Sequence, residues 1–381
     1  MTYIIQAKSA VIGGKLSQDI WLEIKNGIIT SINDGTSPGI PDQIINETLI
    51  PGFIDMHCHG GGGEYFSAEE DSGIQRVIDL HSTHGTTSML ASLVTEPIPT
   101  LKKQIRKLAR FAETGAICGI HLEGPYLSPM RCGAHEPSLL RDPTITELSD
   151  LLDTGAGHIK MITVAPELPN AIEVIGFLVS QGVVVALGHS NSNFETAKRA
   201  VDAGASVTTH FYNGLPPIDH HNANITSAVL LDERLSLELI LDGHHVNTPA
   251  AELMLTAAPN RVILVTDAMS AAGEQDGEYM IGSLSVIVEK GVARLKSNDP
   301  SADSASLAGS TLTMDRAFFN LCKLTGRSII DAVLATSYTP AKALNLKDRG
   351  EIAVGKRADL LEISIEEEQL RIVSSKLTSW K

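Results

Sequence analysis

The feature that most restricts this chain is the rhythm of its middle. Between residues 49 and 265, eight apolar runs rich in Val, Ile and Leu recur: Leu49–Met56, Thr86–Leu93, Ile117–Leu122, Ile159–Val164, Val183–Leu187, Ser206–Thr209, Leu235–Leu241 and Val262–Val265. Helical patterns lie between most of them, as at Gly73–His84, Thr100–Thr114, Asn193–Ala203 and Thr248–Ala258. Strands that are apolar throughout, rather than at alternate positions, belong to parallel sheets covered on both faces. Eight such units predict an α/β fold, a (β/α)8 TIM-like barrel. A doubly wound open sheet is the competing arrangement.

The two ends read differently. Ile20–Ile24 and Ile28–Ile32 flank the turn Lys25-Asn26-Gly27, and Asn-Gly between apolar runs signals a hairpin. Ala358–Ile363 and Leu370–Val373 have the same strand-rich texture. Two such ends around an alternating middle predict that the termini meet. The expected division is a small β-sandwich domain from residues 1–50 and 346–381, and a barrel over 51–345.

Charge narrows the function. The 381 residues carry a formal net charge of −15, which argues against nucleic acid or an anionic membrane as partner, since both require a basic face. A small-molecule partner remains. No run approaches the 18 apolar residues of a membrane span, and the opening Met-Thr-Tyr-Ile-Ile-Gln-Ala-Lys has neither the basic start nor the apolar core of a signal peptide. Cys58, Cys118, Cys132 and Cys322 show no paired spacing. Free thiols in a reducing cytoplasm are therefore expected.

Chemistry is concentrated where the strands end. The first run ends in His57-Cys58-His59-Gly60, and residues i and i+2 of a strand share a face. The third ends in His121-Leu122-Glu123-Gly124-Pro125, the fifth in Gly188-His189-Ser190 and the sixth in Thr209-His210-Phe211-Tyr212-Asn213. The seventh and eighth end in Asp242-Gly243-His244-His245 and Thr266-Asp267-Ala268. In a barrel these ends open on one rim, where active sites sit. Buried apolar strands have no packing reason to end so often in charge, because unpaired buried charge is costly. A cation coordinated by His and carboxylate offsets that cost, and this donor set suits zinc, iron, manganese or cobalt.

Each residue also has a structural reading. Glu123 before Gly-Pro could cap a turn, His189 could open a helix, His210 could stack in the core, and Asp267 could serve as an N-cap. His121 reads as packing, Cys58 points away from the His57/His59 face, and His81, His84 and His158 read as solvent or packing positions. The joint pattern is stronger than any member of it.

Taken in order, Pro51-Gly-Phe-Ile-Asp-x-His-x-His-Gly60, His-Leu-Glu-Gly-Pro125, Gly-His-Ser190, Thr-His-x-x-Asn213, Asp-Gly-x-His245 and Thr-Asp-Ala268 resemble the amidohydrolase superfamily. Within it, Arg131-Cys132-Gly133-Ala134-His135, Leu307-Ala308-Gly309-Ser310 and the closing Gly350–Leu360 segment resemble the N-acetylglucosamine-6-phosphate deacetylases. The resemblance implies the barrel with its terminal β unit, a homodimer, and metal-dependent hydrolysis of an N-acetyl amide on an amino-sugar phosphate. It implies Glu123, His189 and His210 as ligands of one divalent metal and His57 and His59 at a second position, so one or two ions. Asp267 takes the place of the catalytic aspartate and His135 that of the histidine polarising the acetyl carbonyl. Asn213, Gly214, His245, Leu307, Ala308 and Gly309 fall among the substrate-binding positions. One departure stands out: His221 occupies the place of the family's phosphate-binding arginine, and histidine is neither permanently charged nor bidentate. The competing readings are deacetylation of an unphosphorylated N-acyl sugar, another amidohydrolase such as a dihydroorotase-like or N-acyl-amino-acid hydrolase, and a non-catalytic barrel.

Overall fold

The structure, a computed structural model, describes residues 2–296, 306–365 and 369–374. Eight parallel strands stand side by side in chain order: Phe53–Cys58, Thr86–Leu93, Gly119–Glu123, Ile159–Val164, Val184–Leu187, Val207–Thr208, Ser236–Leu239 and Val262–Leu264. Sequential order with no reversal is that of a barrel and rules out the doubly wound sheet. The last strand's continuation meets the first strand's end. The Asp267 N–H donates to the His57 carbonyl at 2.8 Å, and the N–H groups of His59 and Gly60 both donate to the Ala268 carbonyl at 2.9 Å. The nearly closed sheet thus joins at its rim, which is where the polar residues lie.

The strands form as their composition dictates. Phe53–Cys58 and Gly119–Glu123 are buried at every position, and Thr86–Leu93 at all but one. Helices cover the outside through apolar stripes. Ile98–Glu113 buries Leu101, Ile105, Leu108 and Ala109, spaced on one helical face. Several helices begin at a fixed point just past the rim. The Asn193 side chain accepts from the Thr196 N–H at 2.8 Å, and the Asn247 side chain from the Ala250 N–H at 3.0 Å. These N-caps set how far each loop extends before the chain turns back.

The ends of the chain share one six-stranded sheet, built from Thr2–Ile12, Lys15–Lys25, Ile28–Asp34, Gln43–Pro51, Leu360–Ile365 and Leu370–Ser374. Where a two-sheet sandwich was expected, the hydrogen bonds make a single sheet. It curls because Ile28 bridges Arg357, just before the strand at its far side. Its own core holds Ile5, Leu22, Ile24, Ile29, Ile45 and Leu49. The apolar run Leu49–Met56 therefore divides between two sheets. Gly52 is the break: its N–H donates to the Asp359 carbonyl, and a Cβ there would lie 2.2 Å from the Thr87 hydroxyl.

A further three-stranded antiparallel sheet, Gly277–Ile281, Leu284–Glu289 and Val292–Leu295, follows the eighth barrel strand. The sequence does not announce it, because its strands are short and lack a long apolar run. It packs Ile281, Val286 and Val288 against Met269, Ala271 and Ala308 beside the rim. No helix among the described residues is long and apolar enough to cross a membrane.

Candidate metal centre

Glu123, at the end of the third barrel strand, is the hub of the rim. Its Oε1 lies 2.9 Å from His210 Nε2 and 3.3 Å from His189 Nε2. Its Oε2 lies 3.1 Å from His59 Nε2 and 3.5 Å from His57 Nε2. The carboxylate thus stands between two pairs of imidazoles. Asp267 Oδ1 approaches the first pair, at 3.3 Å from His59 and 3.5 Å from His57. The groups His57, His59, Glu123, Asp267 and Glu123, His189, His210 each bring their donor atoms within 4.8 Å of one another.

The partners of these histidines fix which nitrogen is free. A carbonyl only accepts, so His189 Nδ1–H donates to the Arg131 carbonyl at 2.7 Å and His210 Nδ1–H to the Asn213 carbonyl at 3.1 Å. His57 Nδ1–H donates to Glu238 Oε2 at 2.9 Å. With each Nδ1–H committed in this way, Nε2 is the nitrogen left to face a cation in all three rings, and these atoms point at one another and at Glu123. His189 and His210 Nε2 lie 3.1 Å apart, as do His57 and His59 Nε2. Lone pairs and carboxylate oxygens packed this closely repel unless a cation sits among them, so the donor set fits a divalent metal.

The electrostatics agree. Burial pushes the Glu123 carboxyl up, but the His57 charge and hydrogen bonds from His135, His189 and His210 overcome this and hold it well below the usual range. Asp267 is likewise raised by burial and lowered further by His57 and His59, to about 2. Burial depresses His57, yet Glu123, Glu238 and Asp267 together lift it well above its ordinary value. The carboxylates impose a negative field that stabilises positive charge at this spot.

His135 is set apart from the others. The Thr95 N–H donates to His135 Nδ1 at 3.4 Å, and the Thr95 hydroxyl lies 2.9 Å from the same atom. Nδ1 is therefore the acceptor, and the proton resides on Nε2, which faces Glu123 Oε2 at 3.5 Å. Burial lowers the His135 pKa to about 4. The ring is thus a neutral N–H donor at the site.

His59, Glu123, His135, His189, His210 and Asp267 line a cavity of about 440 Å³ that also takes in Arg131, Cys132, Gly133, Asn213, Gly214, His245, Leu307 and Gly309, while His57 is buried behind it. The buried Asn213 Nδ2 has no hydrogen-bond partner among the described residues. His245 Nδ1 is held by Asp242 Oδ2 at 2.7 Å. Two expected positions fall elsewhere. Ala308 is fully buried in the small cluster under the three-stranded sheet. His221 is exposed, its ring 3.9 Å from that of His220, and it does not line the cavity. Its loop turns outward on the Asp219 side chain, which accepts the His221 N–H at 2.8 Å.

Sequence reasoning missed several supports. Glu238 is fully buried, and its Oε2 accepts from both His57 Nδ1 and, at 3.1 Å, the His210 N–H. The signal was present: a glutamate inside the apolar run Leu235–Leu241. Asp55, in Phe-Ile-Asp-Met, anchors the Thr266 hydroxyl at 2.6 Å, one residue before Asp267. His121 does pack, between the hydroxyls of Ser92 and Thr163 at 2.9 Å each. His81 is buried and donates from Nε2 to the Gly60 carbonyl at 3.0 Å.

Comparison with known proteins places the chain in a family. Residues 48–374 match the amidohydrolase family. The N-acetylgalactosamine-6-phosphate deacetylase of Escherichia coli O157:H7 is 34% identical over 371 residues, covering 95% of each chain. The N-acetylglucosamine-6-phosphate deacetylase of Vibrio furnissii is 32% identical, covering 95% of this chain and 91% of its own. Among solved structures, an aspartate-to-alanine variant of the N-acetyl-D-glucosamine-6-phosphate deacetylase of Mycobacterium smegmatis, in complex with N-acetyl-D-glucosamine-6-phosphate, superimposes with a TM-score of 0.90. It is 39% identical and covers 94% of each chain.

Proposed function

The chain belongs to the amidohydrolase family, and from that premise we propose that it hydrolyses the N-acetyl group of N-acetyl-D-glucosamine 6-phosphate to D-glucosamine 6-phosphate and acetate. One observation carries the reading. Glu123 stands between two imidazole pairs, with Asp267 and the His135 N–H aimed into the same cavity.

Glu123, His189 and His210 would hold a divalent cation, with His57 and His59 at a second position. The donor chemistry favours zinc, with iron, manganese or cobalt also suited. When bound, the cation supplies Lewis acidity and acidifies a water molecule. Asp267, ionised well below neutral pH, receives the proton that water releases as its oxygen bonds to the acyl carbon. His135 Nε2–H donates to the acetyl oxygen as charge develops there, and its low pKa keeps that donor neutral. Asp267 then returns the proton to the sugar nitrogen, so the C–N bond breaks to release an amine and acetate. Asn213, Gly214, His245, Leu307 and Gly309, which all line the cavity, would seat the sugar phosphate.

Acetate release tests the proposal. Turnover of the 6-phosphorylated sugar well above that of the free sugar is expected, and equal rates would contradict a phosphorylated substrate. The galacto epimer is the second reading, favoured by the 34% identity to the E. coli galactosamine enzyme. The same assay on N-acetylgalactosamine 6-phosphate decides between them.

We read the chain as a barrel unit at about 51–345 with the terminal sheet as a second unit, supported by their separate apolar cores. Four free cysteines and the acidic charge support a cytoplasmic setting without nucleic acid or membrane partners. The homodimer rests on the family resemblance, and sedimentation of the purified chain decides it.

A further inference from the structure

A doubly charged phosphate must enter a cavity whose floor already holds the Glu123 and Asp267 carboxylates, in a protein of net charge −15. Among the described residues, Arg131 is the single lysine or arginine on the cavity wall. It lies on the half-buried loop Met130–His135, which runs along the wall and whose other end carries His135. The guanidinium is anchored at one edge. Its Nε donates to Asn191 Oδ1 at 3.1 Å, and Nη1 and Nη2 have no hydrogen-bond partner among the described residues. One edge of the fork is thus fixed and the other is free. The Arg131 carbonyl accepts from His189 Nδ1, and the Ser190 N–H donates to the Gly214 carbonyl at 3.1 Å. Arg131 therefore stands on the side of the cavity where Asn213 and Gly214 lie.

We propose that Arg131 clamps the substrate's phosphate from within the same chain, so that the Met130–His135 loop reads the sugar phosphate at one end and the acetyl group at the other. This rests on the deacetylase reading above. It also supplies, within one chain, the permanent cation that His221 lacks, His221 being exposed and off this chain's cavity wall. A guanidinium is permanently charged and presents a planar fork matched to phosphate oxygens.

The test is kcat/KM for N-acetylglucosamine 6-phosphate and for the free sugar in wild type, Arg131→Met and Arg131→Lys, with metal content and Tm measured on each. Inorganic phosphate serves as a competitive probe. Arg131→Met is expected to lower the ratio of the two kcat/KM values roughly 10- to 100-fold, chiefly through KM, and to raise the phosphate inhibition constant similarly. Arg131→Lys, which keeps the charge but not the fork, is expected to fall between. A wild type with a strong phosphate preference that survives in Arg131→Met overturns this assignment and leaves the deacetylase reading standing. Equal losses on both sugars with reduced metal content indicate a structural role through His189 and also overturn it. A wild type indifferent to the phosphate overturns the phosphorylated-substrate reading and this assignment together.

Discussion

The two imidazole pairs around Glu123 are alike in shape and unlike in support. Ring centroids are 5.1 Å apart and 66° inclined in His57–His59, and 4.8 Å apart and 79° inclined in His189–His210. The first pair sits at the end of one strand, His57 in its last pleat and His59 just past it, and is backed by carboxylates, Glu238 behind His57 and Asp267 beside both. The second pair comes from two strands and is backed by main-chain carbonyls. Its members adopt positive φ, 46° at His189 and 24° at His210, as does Asp267 at 47°. Such conformations cost about 1–3 kcal/mol each for residues other than glycine. The surrounding fold must therefore enforce them, and they turn the side chains out of the strand and into the mouth. The same ligand geometry is thus reached once by strand periodicity and once by strained strand ends.

The comparison can be broken most forcefully at the strained pair. His210→Ala removes a ring that touches both Glu123 and His189. Loss of the bound metal and a fall in kcat of roughly 10³- to 10⁴-fold are expected, several kcal/mol of lost stabilisation. His59→Ala should cost less, on the order of 10- to 100-fold, and should lower metal stoichiometry rather than abolish it; equal losses from the two variants would erase the distinction. Asp267→Asn separates proton transfer from metal binding. Turnover should fall about 10²- to 10⁴-fold while metal content by plasma mass spectrometry stays near wild type.

Glu238→Gln probes the carboxylate behind the first pair. Metal affinity should weaken about 10- to 100-fold, read by competition with a chelator, and an unchanged affinity would leave Glu238 only a packing role. Gly133→Ala acts on the other pair from outside. A Cβ there lies 2.9 Å from His189 Cε1 at a φ of 59°, so a loss of about 1 kcal/mol in thermal unfolding is expected. The smallest effect belongs to an imidazole–carboxylate pair remote from the rim, His84 and Asp315 at 2.8 Å. The Asp315 hydrogen bond raises the His84 pKa above its unfolded value. Its stabilisation is full below the unfolded pKa of about 6.5 and is lost as pH rises through the raised value. Asp315→Asn should therefore lower Tm more at pH 6 than at pH 9, where only its bonds to the Thr313 hydroxyl and the Arg316 N–H remain at stake.

How much of this was legible follows from the same contrast. His57 and His59 could be placed together from period-two geometry alone. Thr86–Leu93 and Ile159–Val164 emerged with the bounds read from their apolar runs. His189 and His210 carry no local signal of their alliance, because they lie 21 positions apart in the chain with a helix between them. Only their repeated place at strand ends suggested it. Glu238 and Asp55 were overlooked because each reads as a polar interruption in an apolar strand, and its meaning depends on which neighbour lies across the barrel. The single curled sheet, the three strands at 277–295 and the outward turn of His221 were hidden for a related reason. Pairing partners and loop direction are set by tertiary contacts, which short strands and polar loops do not announce.

The central claim is that Glu123 and its flanking imidazoles hold a divalent cation. Anomalous X-ray scattering from crystals of the fully active protein tests it directly. The account predicts a strong peak about 2.0–2.2 Å from donor atoms of Glu123, His189 and His210, with any second peak beside His57 and His59. Fully active crystals with no peak among these residues, or with the ion bound elsewhere, would contradict it.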